Sequence, residues 1–144
     1  GNAVKFKEED VRAVGRNSTG VRGITLEKDD EVVGMEVALD NATLLTVTEN
    51  GFGKRTNMEE YRLIHRGGKG VINIQCSERN GCVVGIKTVF DKDEVLFISE
   101  KGVMIRVAVK DISVIGRNTQ GVKLMKLDER DKITTLAKVI SNGD

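Results

Sequence analysis

A short pattern recurs at a fixed interval, and nothing else in the sequence constrains the fold as strongly. Gly15-Arg16-Asn17-Ser18-Thr19-Gly20-Val21, Arg66-Gly67-Gly68-Lys69-Gly70-Val71 and Gly116-Arg117-Asn118-Thr119-Gln120-Gly121-Val122 each set an arginine four residues ahead of a Gly-Val that opens an apolar run. Arg16, Arg66 and Arg117 stand 50 and 51 residues apart, and Gly20, Gly70 and Gly121 keep the same intervals. Such a period is the signature of a repeat architecture, where each unit buries its apolar face against the next.

Between the marks the chain reads as short strands joined by tight turns. Val21–Leu26, Glu31–Val37 and Asn41–Thr48 carry strand patterns. Glu49-Asn50-Gly51 supplies an Asn-Gly hairpin signal, and Phe52–Thr56 is the returning strand. The next unit repeats this with Val71–Cys76, Cys82–Val89, Glu94–Ser99 and Val103–Val107. The last gives Val122–Leu127 and Lys132–Ile140. A single helical turn is expected near Asn57–Tyr61.

Four short strands per unit is the pattern of a propeller blade. The chain is therefore expected to be all-β, with about three four-stranded blades in one repeat domain over residues 1–144. Residues 1–14 end a preceding blade, 15–64 and 65–115 are blades, and 116–144 begin another. Residues 1–11 support this by aligning with 102–112, Lys5 on Arg106, Asp10 on Asp111 and Val11 on Ile112. Propellers typically need four to eight blades. Three imply either an open arc of a larger ring or half of a ring completed by a second copy, with exposed strand edges that invite self-association.

Bulk charge says nothing about partners, because 23 basic residues face 22 acidic ones. Its distribution does. Val11–Leu26 holds Arg12, Arg16 and Arg22 and no acid, and Tyr61–Ser77 holds Arg62, Arg66 and Lys69 and no acid. Ile112–Leu127 holds Arg117, Lys123 and Lys126, again without an acid. Acids gather in the turns at 27–31, 91–94 and 128–131. Basic windows at a structural period suit a long polyanion with evenly spaced charge, and duplex DNA carries one phosphate per ~1.7 Å of axis. Gly67, Gly68 and Gly70 would let backbone N–H groups approach phosphate oxygens. Gly68→Ala should then be harmful if that position needs a positive φ. Lys54 and Arg55, just past the hairpin turn, would add to the basic rim. Against this stands a purely structural reading, in which Arg-x-x-x-Gly is a blade turn and its cations are merely solvated.

Other chemistry is thin. His65 has no acidic neighbour, and Tyr61 aligns with Val11 and Ile112, so it occupies an apolar packing slot rather than a nucleophile's position. Gly-Gly-Lys-Gly lacks the spacing and the following Ser/Thr of a phosphate-binding P-loop. No carboxylate pair is spaced for acid–base work. Cys76 and Cys82 read as reduced thiols on a strand pair, with a metal or redox site the minor alternative. No apolar run approaches the ~20 residues needed to span a bilayer, and no signal pattern opens the chain. A soluble, cytoplasmic protein is expected.

Several stretches together resemble a known family, the C-terminal DNA-wrapping domain of the A subunit of bacterial DNA gyrase. They are Asp10-Val11-Arg12, Gly15-Arg16, Thr19–Ile24, Thr48–Thr56, Glu60-Tyr61-Arg62, Arg66–Val71, Glu78-Arg79-Asn80-Gly81 and Gly116–Val122. The resemblance implies a six-bladed β-pinwheel with DNA bent around its basic rim. It implies a non-catalytic part of a type IIA topoisomerase that introduces negative supercoils. The cleaving region, ATP, Mg²⁺ and the B subunit belong to other parts of that enzyme, and no cofactor is implied for this chain. The family's hallmark box, Gln-Arg-Arg-Gly-Gly-Lys-Gly, departs here to Ile64-His65-Arg66-Gly67-Gly68-Lys69-Gly70. That places this stretch as the box's relative in a later blade, and it leaves open whether the chain alone wraps DNA. The alternatives are a propeller-type protein-interaction module and the related domain of the topoisomerase IV A subunit.

Overall fold

The computed structural model describes residues 1–139. Nine strands follow one another: β1 (Asn2–Ala3), β2 (Thr43–Thr48), β3 (Phe52–Asn57), β4 (Val71–Ile72), β5 (Val83–Val89), β6 (Glu94–Ser99), β7 (Met104–Ala108), β8 (Val122–Lys123) and β9 (Ile133–Val139). The only helical segments among the described residues are single 3-10 turns at Glu8–Asp10, Met58–Glu60 and Val109–Asp111. They recur at the period of the sequence marks. The turn expected near residue 58 is thus one of a set.

The strands pair antiparallel into sheets of order β1-β4, β5-β2-β3-β8 and β7-β6-β9. The β2–β3 hairpin comes from one unit, β5 from the next and β8 from the unit after that. Asn2 lies opposite Ile72 and Ala3 opposite Val71 in the first sheet. Phe52 opposite Lys123 and Gly53 opposite Val122 repeat that pairing one period later. Isolated parallel bridges, Lys5 to Leu63 and Arg55 to Val114, shift by the same interval. Each sheet is therefore assembled from successive units, and the strand exchange ties neighbours together.

Of the expected four-stranded blades, one is complete. The β6–β7 hairpin receives β9 on one side, and among the described residues no strand lies beyond β7. Val21–Leu26 and Glu31–Val37, read as strands from their alternation, form none. Among the described residues, no strand takes against Glu31–Val37 the place that β2 takes against β5 and β6 against β9. The segment keeps its apolar pattern and lies open, with Met35 86% and Val37 72% exposed. Val71–Cys76 and Val122–Leu127 shorten to two-residue strands. The last strand is described to Val139, and its expected final residue, Ile140, lies outside the described residues.

The core lies between sheets. Leu45 and Val47 of β2 join Val89, Val95, Phe97, Val109, Ile112, Met125, Ile133 and Leu136 in the larger cluster. Leu44, on the opposite face of β2, joins Ala42, Met58 and Tyr61 in a smaller one. All six residues of β2 are buried, since this sheet is flanked by others on both faces. Cys76 and Cys82 are exposed free thiols. No helix of the described residues is long and apolar enough to cross a membrane.

Candidate nucleic-acid interface

The recurrent arginines are built into the seams between units. Arg66 donates from Nε to the Asp10 carbonyl and from Nη1 to the Arg22 carbonyl, both at 3.0 Å. Arg117 does the same one period on, to the Glu60 carbonyl at 2.8 Å and the Ile72 carbonyl at 2.9 Å. The planar fork of a guanidinium reaches two acceptors at once, which a lysine ammonium does less well. Both arginines are half-buried, whereas Arg16, in the first unit, is exposed.

Gly70, expected in a phosphate cradle, and Gly121 sit against backbone, whereas Gly20 has open space around it. Gly20, Gly70 and Gly121 have φ of 80°, 79° and 78°. A Cβ on Gly70 would strike the Ala3 carbonyl, and one on Gly121 would lie 2.8 Å from the Gly53 carbonyl oxygen. The close approach brings β4 onto β1 and β8 onto β3. Gly67 also has a positive φ, 90°, and Asn118 takes the equivalent place at 59°. The Gly67 N–H is already engaged with the Gly23 carbonyl at 2.7 Å. Gly68 differs from the expectation: its φ lies outside the left-handed region and a Cβ there would meet open space. Its carbonyl accepts from the Thr25 N–H at 2.8 Å, a bond any residue could make.

Lys54 and Arg55, expected on the rim, are buried. Lys54 is 0% exposed, and its Nζ donates to the Asn73 carbonyl at 2.6 Å, the Gly116 carbonyl at 2.8 Å and Thr119 Oγ1 at 3.0 Å. Arg55 is 4% exposed, donating from Nε to the Ile112 carbonyl at 2.9 Å and pairing through Nη1 with Asp91 at 2.6 Å. Neither side chain can reach a phosphate. Desolvation lowers the Lys54 amine to about 8, with Glu60 opposing and Arg117 adding to the shift. Around it, Tyr61 donates to Asn73 Oδ1 and Asn73 donates from Nδ2 to Thr46 Oγ1 at 2.9 Å. Burial pushes the Tyr61 hydroxyl up to about 12.

Of the basic residues expected on the rim, Arg12, Arg16, Arg22, Arg62, Lys69, Lys123 and Lys126 are exposed. Arg12 and Arg62 are 50 residues apart, each two residues past the end of an equivalent 3-10 turn. Lys123 occupies the place on β8 that Ile72 holds on β4. Arg22 aligns with Ile72 one period earlier in the sequence, in a segment that forms no strand. Sequence reasoning missed Arg79, which is exposed in the turn before β5 with its guanidinium carbon 4.8 Å from the Phe52 ring centroid. Among the described residues, no group of three or more His, Cys, Asp or Glu could hold a metal ion.

Comparison with known proteins agrees with this repeat geometry. The family described as DNA gyrase C-terminal domain, beta-propeller, matches residues 1–38, 42–89 and 93–140. The DNA gyrase A subunit of Salmonella typhimurium is 48% identical over 144 residues, covering 100% of this chain and 16% of that protein. The corresponding protein of Staphylococcus aureus (strain MRSA252) is 47% identical over 143 residues, covering 98% of this chain and again 16% of that protein. A solved DNA gyrase A C-terminal domain superposes with a TM-score of 0.90 at 32% identity, over 97% of this chain and 48% of that one. The C-terminal domain of DNA topoisomerase IV superposes at 0.89 with 24% identity, over 96% and 44%, a likeness of fold alone. The chain belongs to the DNA gyrase C-terminal domain family and has its β-propeller-like fold.

Proposed function

We propose that this chain holds duplex DNA in a bent path, without regard to sequence, as a non-catalytic part of a DNA gyrase A subunit that introduces negative supercoils. The observation that carries the reading is the recurrence of Arg12 and Arg62 at equivalent, exposed places in successive units, with exposed Arg22 and Lys123 two periods apart in the same alignment. Those positions offer charge at structural intervals, while Arg66, Arg117 and Lys54 fix the seams that set the intervals. Phosphate contacts carry no base information, so binding is blind to sequence. Bending 20–30 bp costs about 1–6 kcal/mol by smooth elastic estimates, which several weak contacts offset together. DNA cleavage, ATP hydrolysis and its Mg²⁺ then belong to other regions and to the B subunit, in the bacterial cytoplasm. Gyrase A relatives match at 46–48% identity, which favours gyrase over the topoisomerase IV alternative.

Anisotropy of a labelled duplex across a salt series tests the reading. Each phosphate bound by a cation contributes about −0.9 to the slope of log K against log salt. Changing Arg12, Arg22, Arg62 and Lys123 together to Ala should flatten the slope by about 0.9 for each phosphate no longer neutralised. Duplexes of unrelated sequence should bind alike. A salt-independent affinity, or a quadruple variant that binds like the parent, would overturn the proposal.

A further inference from the structure

Among the described residues, two cations share one aromatic ring and have no anionic partner. Phe52 opens β3 with its ring almost fully buried, 5% exposed. The Arg79 guanidinium carbon lies 4.8 Å from the ring centroid and Lys123 Nζ lies 5.7 Å from it. Each cation is placed by a different device. Lys123 is set by strand register, directly opposite Phe52. Arg79 is set by a turn clasped to the hairpin tip. There Asn50 Nδ2 donates to the Glu78 and Arg79 carbonyls at 3.1 and 3.2 Å, and the Asn50 N–H donates to the Asn80 carbonyl at 3.1 Å. Within that turn the Gly81 N–H donates to the Ser77 carbonyl at 2.8 Å.

Both side chains are exposed, and neither makes a hydrogen bond or ion pair with another described residue. The neighbouring Glu49 carboxylate is taken up elsewhere, accepting from the Cys82 N–H at 3.1 Å and pairing with Lys132 at 3.5 Å. Two like charges held near one ring favour the approach of an anion. The ring restrains both side chains, so less rotamer freedom is lost when that anion arrives. A guanidinium against an aromatic face keeps its N–H donors free at its edge, where they match phosphate oxygens in pairs.

We propose that Arg79 and Lys123, held by Phe52, form a further site for the phosphodiester backbone of duplex DNA at the edge of the four-stranded sheet. The site rests on the DNA-binding reading and extends it to a residue outside the three acid-free windows. Salt series on a labelled duplex of roughly 30 bp test it with the parent, Arg79→Ala, Arg79→Ala/Lys123→Ala, and Lys92→Ala as an exposed cation in an acidic turn. The single variant should flatten the slope by about 0.9 and the double by about 1.8, with unchanged melting temperatures, and Lys92→Ala should match the parent. A parent that binds DNA while both Arg79 variants keep its slope would overturn this site alone. A parent that does not bind DNA would overturn the function it rests on. Inorganic phosphate at matched ionic strength should displace DNA no better than chloride does. Selective displacement from the parent but not from Arg79→Ala would reassign the site to a free anion.

Discussion

At the scale of single residues, positive charge in this chain divides into two jobs that composition cannot separate. Lys54 and Arg55 carry the same formal charge as Arg62 and Lys123, yet the first pair is buried and the second exposed. Burial gives Lys54 a signature in the pH dependence of stability. Its amine falls from 10.5 to about 8 on folding because burial disfavours the ammonium. Between those values the unfolded chain binds a proton that the folded chain does not, so stability rises with pH. Tyr61 opposes this from pH 10.0 upward, since its folded value near 12 keeps a proton that the unfolded chain loses. The clean window therefore runs from about pH 8 to pH 10. Urea unfolding at about pH 8 and about pH 9.5 should show the parent gaining stability, on the order of 1–2 kcal/mol, relative to Lys54→Met. Parallel changes in the two proteins would mean that the amine is not desolvated in the folded chain.

At the scale of elements, the glycine marks act through backbone approach. Gly70→Ala should destabilise the fold by about 1–3 kcal/mol, since it forces an L residue into the left-handed region and drives a methyl into the Ala3 carbonyl. Gly68→Ala should leave the melting temperature unchanged, because that position has room and an ordinary φ. Thermal melts of the two variants decide the matter, and equal losses would contradict the register that joins β4 to β1. Much of this was legible in the sequence. The period, the Asn50-Gly51 hairpin and strands β2, β3, β5, β6, β7 and β9 follow from alternation and turn chemistry. Glu31–Val37 shows the limit: its alternation is genuine, but a strand needs a neighbour, and the pattern of one segment does not say whether its neighbour is present. The exchange of strands between successive units was also hidden, since periodicity gives spacing and not partners. Burial of Lys54 was invisible because only the fold brings Asn73, Gly116 and Thr119 around its amine. Arg79 was passed over beside Glu78, though Phe52 after the hairpin turn was the available cue.

At the scale of the whole molecule, the repeats bring exposed Arg12 and Arg62 back at the period of the units, while acids gather in the turns at 27–31, 91–94 and 128–131. Strand exchange ties the units together, since moving one unit strains the sheets of its neighbours. Under the proposed function, a stiff array of spaced charge bends a polyanion, whereas a loose one would follow the straight duplex. Among the described residues, β7 has no strand on its outer side and the Glu31–Val37 segment joins no sheet. Fluorescence energy transfer between dyes at the two ends of a duplex of roughly 30 bp measures the bend directly. Saturating protein should raise the transfer efficiency for any duplex sequence, and adding salt should return it to the value of free DNA as the cations release their phosphates. Saturated binding with the efficiency of straight, free DNA would contradict the account.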